Sequence, residues 1–318
     1  MKFFKTIDEQ IEILKSRGLI LDESDNYKKV KQYLLTNNYY DVINGYARYF
    51  LKNTNSFEDN VTFNDITFLY EFDTAIRNTL FNSIILAEKH LRGLVAYYIS
   101  EECHKQGNIE FYKEKNFYKK DPFYLRQKIW KIIDNNKNSR HDNSIRHHYL
   151  KYQCVPFWVI VNYLTFKDIY EILVRVPTIQ NKVAKDLLSF IQEHLDINKH
   201  LFTPEILLSF IYNIYEVRNV CAHGNRLIEY SCKNNVKYFE PLHIKYNIKP
   251  DSPKQSVYDV FLILQCFLSK TEYAILHNTI RKRMNYLENK LESIDYNIIL
   301  TKLGFPNNWN RNNNPMEQ

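Results

Sequence analysis

The stretch FNDITFLYEFDTAIRNTLFNSIILAEKHLRGLVAYYI, Phe63 to Ile99, decides the fold class. Leu69, Phe72, Ile76, Leu80, Ile84, Leu91 and Val95 keep close to the spacing that lines one face of an α-helix. No proline interrupts the run, and its first glycine is Gly93. The spacing predicts one long helix or two joined by a short kink, and both suit a helical bundle.

The same period continues outward in both directions. Ile7, Ile11 and Leu14 predict a first helix ending at Gly18, followed by helices over Tyr27–Leu35 and Tyr39–Phe50. Further helices are predicted around Phe123–Ile133, Val155–Leu164, Phe166–Leu173, Asn181–His194 and Pro204–Ala222. Ser252 followed by Pro253 signals another, running to about His277. Only Ile228–Lys249 has β-like character, and a short hairpin is expected there. The class is all-α. The polar stretch Lys52–Asn60 reads as a boundary loop that sets a small N-terminal helical unit, 1–60, apart from a helical domain, 61–306. From Asn307 the chain is Asn-rich, and 307–318 is expected to fray after Trp309 as a disordered tail.

A chain of 318 residues with 45% apolar and 15% aromatic content buries a substantial core. Its six glycines form no Gly-rich strand-to-helix turn, which excludes a Walker loop or a dinucleotide fingerprint. A net charge of +7 favours a polyanionic partner without requiring one. Cys103, Cys154, Cys221, Cys232 and Cys266 lie far apart, so they read as reduced thiols of a cytoplasmic protein, not as a zinc site or disulfide framework. Met1–Lys5 runs straight into a charged helix, so no signal peptide is expected, and no apolar run reaches membrane-spanning length.

The chemistry concentrates in EVRNVCAHGNRL, Glu216 to Leu227. Before it, Thr203 is the expected N-cap of a helix, Pro204 stands in its first turn, and Gly224 is a natural stop. Arg218 can hold a phosphate with its planar fork, and His223 can move protons near neutral pH. At roughly 100° per residue Asn219 and His223 share a face, whereas Arg218 and His223 point about 140° apart. They converge only if the helix end distorts or a second chain contributes. The alternative is an arginine and a histidine that merely complement a helix end.

RNVCAH resembles the R-N-x-x-x-H form of the signature of HEPN domains (higher eukaryotes and prokaryotes nucleotide-binding), many of which are metal-independent ribonucleases. Other stretches in the same order resemble the Abi-like, AbiD/AbiF-type abortive-infection proteins of bacterial phage defence. They are DEQIEILKSRGL from Asp8, NYYDVINGY from Asn38, FNDITFLYEFD from Phe63, AEKHLR from Ala87, VPFWVIVNYLTF from Val155 and LGFPNNW from Leu303. The chain departs from that family after PFW, where Asn162 and Lys167 stand in place of a glutamate and a residue of a Ser-Phe-Gly turn.

The resemblance implies a HEPN-type helical bundle and a metal-independent endoribonuclease with catalytic Arg218, Asn219 and His223. It needs no cofactor or metal. His223 would act as general base or acid, Arg218 would stabilise the phosphorane, and Asn219 would position the phosphate or orient His223. Arg226 would be a second phosphate contact. Because the chain carries one motif, a homodimer joining two motifs in one cleft is expected. Glu88 and Arg92, four apart in a mostly apolar helix, would support the site, with Glu88 orienting Arg218 or His223; the alternative is an ordinary intrahelical pair. The rival class is a non-catalytic RNA-binding module, or a toxin held inactive by a small RNA or protein antitoxin.

Two basic clusters remain. Arg140, His141, Arg146, His147, His148 and Lys151 gather within twelve positions and suit RNA-backbone contact, with Tyr149 or Tyr152 stacking on a base; a solvated helix face is the equal alternative. His147 and His148 diverge by about 100° on a helix, which disfavours metal binding. Arg281, Lys282 and Arg283 add nonspecific phosphate attraction or mark a helix end.

Overall fold

A computed structural model describes residues 4–21, 27–197 and 202–316. The protein is all-α. In chain order the elements are α1 (Ile7–Ser16), α2 (Tyr27–Thr36), β1 (Leu51–Asn53), β2 (Ser56–Phe57), α3 (Phe63–Lys105), α4 (Phe123–Lys137), α5 (Ser144–Tyr152) and α6 (Phe157–Ile160). Then come α7 (Phe166–Arg175), α8 (Pro177–His194), α9 (Pro204–Ala222), α10 (Glu240–Lys245), α11 (Val257–Ile263), α12 (Lys270–Lys290), α13 (Tyr296–Lys302) and α14 (Trp309–Asn312). Among the described residues the sheet is a single antiparallel pair, β1 with β2.

The chain divides into two compact units, one built from residues 1–80, 220–230 and 275–317, the other from residues 81–219 and 231–274. Three helices, α3, α9 and α12, contribute residues to both. In the first unit α1 opens with a capping box: the Thr6 hydroxyl accepts from the Glu9 N–H at 3.2 Å, and the Glu9 carboxylate accepts from the Thr6 N–H at 2.7 Å. Ile11 and Leu14 of α1 and Val30 and Leu34 of α2 are buried. α3 starts the same way, the Asp65 N–H bonding the Thr62 hydroxyl at 3.2 Å and the Thr62 N–H bonding Asp65 at 2.8 Å. Its Ile66, Leu69, Phe72, Ile76 and Leu80 are buried at helical spacing.

In the second unit α3 continues with Ile84, Leu91, Val95 and Ile99 buried, and the helix is continuous through an exposed Gly93. A glycine inside a helix costs about 1 kcal/mol relative to alanine, too little to break one this long. α7 is set by a Thr165–Asp168 capping box, and α8 by Pro177 in its first turn. Phe157, Ile169, Ile172, Leu187, Ile191 and Cys266 are buried in this unit.

The structure departs from the expected elements in five places. Tyr39–Phe50 is not a regular helix: Asn38 sits at φ 55 with its side-chain oxygen accepting from the Tyr40 N–H, and a π-type turn and a 3-10 turn follow. The stretch expected as a boundary loop carries the β1–β2 hairpin. Ile228–Lys249 forms no hairpin, because its Cys232 and Val236 N–H groups bond Gln255 and Lys254 carbonyls instead, and Pro241 starts α10. The helix expected from Ser252 to His277 begins only after Ser256, which caps α11, and breaks before Ser269; a Ser269–Glu272 capping box then starts α12. Arg281, Lys282 and Arg283 therefore lie inside α12 and mark no helix end. The segment expected to fray carries α14, with Trp309 and Asn310 buried and the Asn313 carbonyl accepting from Arg281 at 2.6 Å; its last two residues lie outside the described ones.

Candidate nucleic-acid site

α9 begins where Thr203 accepts a hydrogen bond from the Ile206 N–H at 3.4 Å. Leu207, Phe210, Ile211, Ile214 and Val217 bury one side of it, which leaves Arg218 and Asn219 half-buried on another. The Arg218 guanidinium lies over the Phe81 ring, 5.8 Å from its centroid.

Arg218 Nε is 3.8 Å from Oε2 of Glu88, beyond hydrogen-bond length, and neither buried atom has a hydrogen-bond partner. The other Glu88 oxygen accepts from Arg92 Nε at 3.1 Å, and Arg92 Nη1 donates to the Val161 carbonyl at 2.6 Å. One carboxylate, 6% exposed, thus stands between two guanidinium groups. Glu88 and Arg92 line a pocket of about 550 Å³ together with Lys89, Trp158 and Asn162. Asn162, one of the two departures from the family pattern, faces the same space as the supporting pair.

His223 follows the last residue of α9 and is exposed, and its ring makes no hydrogen bond among the described residues. The helix closes behind it in a Schellman motif. Gly224 has φ +68, its N–H bonds the Cys221 carbonyl at 3.2 Å, and the Asn225 N–H bonds the Val220 carbonyl at 3.0 Å. The outgoing loop is held from α3 by two residues that sequence reasoning missed. Arg77 Nη1 donates to the Gly224 and Asn225 carbonyls at 2.9 and 3.0 Å. Asp73, fully buried, accepts from the Leu227 and Ile228 N–H groups at 3.0 Å each, from the Tyr46 hydroxyl at 2.9 Å and from Arg77 at 3.1 Å. Burial pushes the Asp73 carboxyl above its ordinary value against the opposing pull of Arg77 and the two N–H groups. The available signal was a charged pair, four apart, set within the apolar stripe of α3.

Arg226 gives two of its five N–H donors to backbone, Nη1 to the Gly45 carbonyl and Nε to the Ile228 carbonyl at 3.2 Å, which leaves its Nη2 facing Glu229 at 3.6 Å. In the basic segment Arg140, His147 and Lys151 are exposed, whereas Arg146 pairs with Asp142 at 2.7 Å. Lys151 lies 5.1 Å from the Tyr152 ring centroid, and His148 rests against the same ring at 5.6 Å. Among the described residues no group of three His, Cys, Asp or Glu side chains is placed to hold a metal ion. No helix among them is long and apolar enough to cross a membrane.

No curated protein and no solved structure matches the chain. A family model described as Abi-like protein, named for abortive infection, matches residues 32–229, a span that includes Glu88, Arg92, the basic segment, Arg218, Asn219, His223 and Arg226. That match covers more than half of the sequence, and the chain belongs to the Abi-like protein family.

Proposed function

We propose that the protein is an endoribonuclease of the HEPN type that acts in abortive phage defence. The observation that carries this reading is the division of labour at the end of α9. Arg218 is tethered by a buried carboxylate, whereas His223 stands exposed and without a partner just past the helix end. A cation held in place and a proton carrier open to solvent are what phosphodiester cleavage through a ribose 2′-OH requires.

In the reaction His223 takes the 2′-OH proton as the 2′-oxygen attacks phosphorus, or gives a proton to the departing 5′-oxygen. A second His223 from a partner copy supplies the opposite transfer, which is why a homodimer belongs to the proposal. Arg218 stabilises the charge that builds on the phosphorane oxygens, and Asn219 orients the phosphate. The bond from phosphorus to the 5′-oxygen breaks as the bond to the 2′-oxygen forms. The products are a 2′,3′-cyclic phosphate and a 5′-hydroxyl.

End analysis of RNA cut by the purified protein tests this chemistry. Cyclic phosphate on one fragment and 5′-hydroxyl on the other support it. A 3′-hydroxyl with a 5′-phosphate requires a different nucleophile and removes it. An RNA bound tightly and left intact favours a binding module.

A further inference from the structure

Beside the loop that follows His223, three cations converge on one carboxylate. Arg48, Arg226 and Lys302 all reach Glu229: Arg48 and Lys302 as direct ion pairs and Arg226 with Nη2 3.6 Å away. The same three lie against the ring of Tyr49, at 5.2, 5.7 and 5.4 Å from its centroid. An aromatic face of this kind holds cations side by side at separations that their repulsion would otherwise oppose. The Tyr49 hydroxyl is buried and has no hydrogen-bond partner.

Arg48, Arg226 and Glu229 line a cavity of about 540 Å³ whose wall also includes Gly224 and Asn225, the two residues after His223. Glu229 neutralises one of the three charges. The other carboxylate on the wall, Asp41, accepts from the Asn38 amide at 3.1 Å. Glu229 itself is strained, since it holds φ +69, a left-handed conformation that a glutamate rarely adopts. Every residue of this cluster belongs to one compact unit.

We infer that this cluster is a phosphate subsite for the RNA strand, in which Glu229 occupies the anion position and a backbone phosphodiester displaces it. The inference rests on the RNA reading of the motif and adds the residues that would hold the strand next to it. The Arg48 fork, the Arg226 Nη2 left over from its backbone bonds and the Lys302 ammonium match the oxygens of a phosphodiester, which accepts more hydrogen bonds in more directions than a carboxylate. RNA is favoured over an acidic protein because the cavity adjoins the loop that presents His223. Charge favours entry of a polyanion, and a polyanion carries the next phosphate along the strand toward that loop.

The test measures binding of a labelled single-stranded RNA to the full chain with His223→Ala in the background, so that cutting does not interfere. Adding Glu229→Gln removes the competing charge and keeps the side-chain shape. It should tighten RNA binding roughly tenfold at low salt, the order expected from one close charge, and steepen the log–log salt dependence by about 0.7. Arg48→Gln with Lys302→Gln should weaken binding, flatten that slope and abolish the gain from Glu229→Gln. Circular dichroism of each variant guards against unfolding. Should Glu229→Gln fail to fold, the Arg48 and Lys302 pair decides alone, because an unchanged salt slope there overturns the subsite. Glu229→Gln without tighter binding in a folded chain overturns it too, as does the absence of RNA binding in every variant. If His223-dependent cleavage persists while these variants are neutral, the subsite falls and the ribonuclease stands. If Glu229→Gln tightens RNA that the wild-type chain never cuts, the reverse holds.

Discussion

Oε2 of Glu88 faces Nε of Arg218 across 3.8 Å, with neither atom hydrogen-bonded, while the other Glu88 oxygen is bound by Arg92. Desolvating a carboxylate is costly, and this one is offset by two guanidinium groups instead of one. The arrangement fixes Arg218 by charge without consuming its terminal nitrogens in a hydrogen bond to Glu88, which leaves that end of the fork for an oxyanion. Both arginines are partly exposed, so the electrostatic contribution is smaller than in a sealed interior.

Glu88→Gln is therefore expected to destabilise the fold by about 2 kcal/mol, below the roughly 3–5 kcal/mol for breaking a fully buried pair because both arginines are partly exposed. It should also reduce RNA cleavage more than Arg92→Lys does, since only Glu88 faces Arg218. Thermal unfolding followed by cleavage assays on the folded fraction checks both. Equal loss of cleavage in the two variants would mean that the pair acts only on stability.

The Asp73–Arg77 clamp predicts a different response. Asp73→Asn leaves a buried guanidinium, that of Arg77, without its counter-charge and weakens three further hydrogen bonds, two to the loop after His223 and one to Tyr46. The expected cost is about 3 kcal/mol, read as a lower urea midpoint at unchanged slope. A midpoint equal to wild type would show that the loop holds its shape without α3.

Stability should fall as pH drops through the histidine range. Burial holds His194 and His243 below the ordinary value of 6.5, so below that pH the unfolded chain binds more protons than the folded one. Their contribution is full above pH 6.5 and is lost as pH falls from there toward the depressed folded values. The melting temperature measured between pH 7.5 and about 5 should decline, and His243→Gln should flatten the decline. A profile that is level over that window would contradict the burial of these rings.

In the basic segment Arg146 is already tied to Asp142, so its charge is partly spent. Replacing Arg140 and Lys151 together should lower the log–log salt slope of single-stranded RNA binding by up to about 1.4, at roughly 0.7 per phosphate contact. Adding Arg146→Gln should change little further. If only Arg146→Gln has an effect, the strand does not track this helix.

What was legible in the sequence was local. α9 runs from Pro204 to Ala222 as its caps and Gly224 predict, because an N-cap hydroxyl, a first-turn proline and a left-handed glycine act within a few residues. α3 was readable from its apolar stripe. The capping serines at 256 and 269 also left a signal, each with an acid three residues later, but a Ser-Pro pair nearby masked the first and an unbroken apolar run masked the second. Asp73 and Arg77 could not be assigned in this way: their partners lie some 150 residues further along the chain, and helical period reports only that a charged pair sits on a buried face. Ile228–Lys249 failed for the same reason, since its extended residues pair with the segment before α11 and not with each other.

In the proposed reaction one histidine at the end of α9, His223, carries proton transfer in RNA cleavage. The most direct measurement compares the rate at which the purified chain and its His223→Ala variant cut a labelled single-stranded RNA in the presence of EDTA, with circular dichroism confirming that both are folded. The wild-type chain should cleave, the variant should lose about a hundredfold or more, and Arg218→Lys should be severely impaired, because the charge remains and the fork does not. Cleavage by folded His223→Ala at the wild-type rate would contradict this role of the histidine.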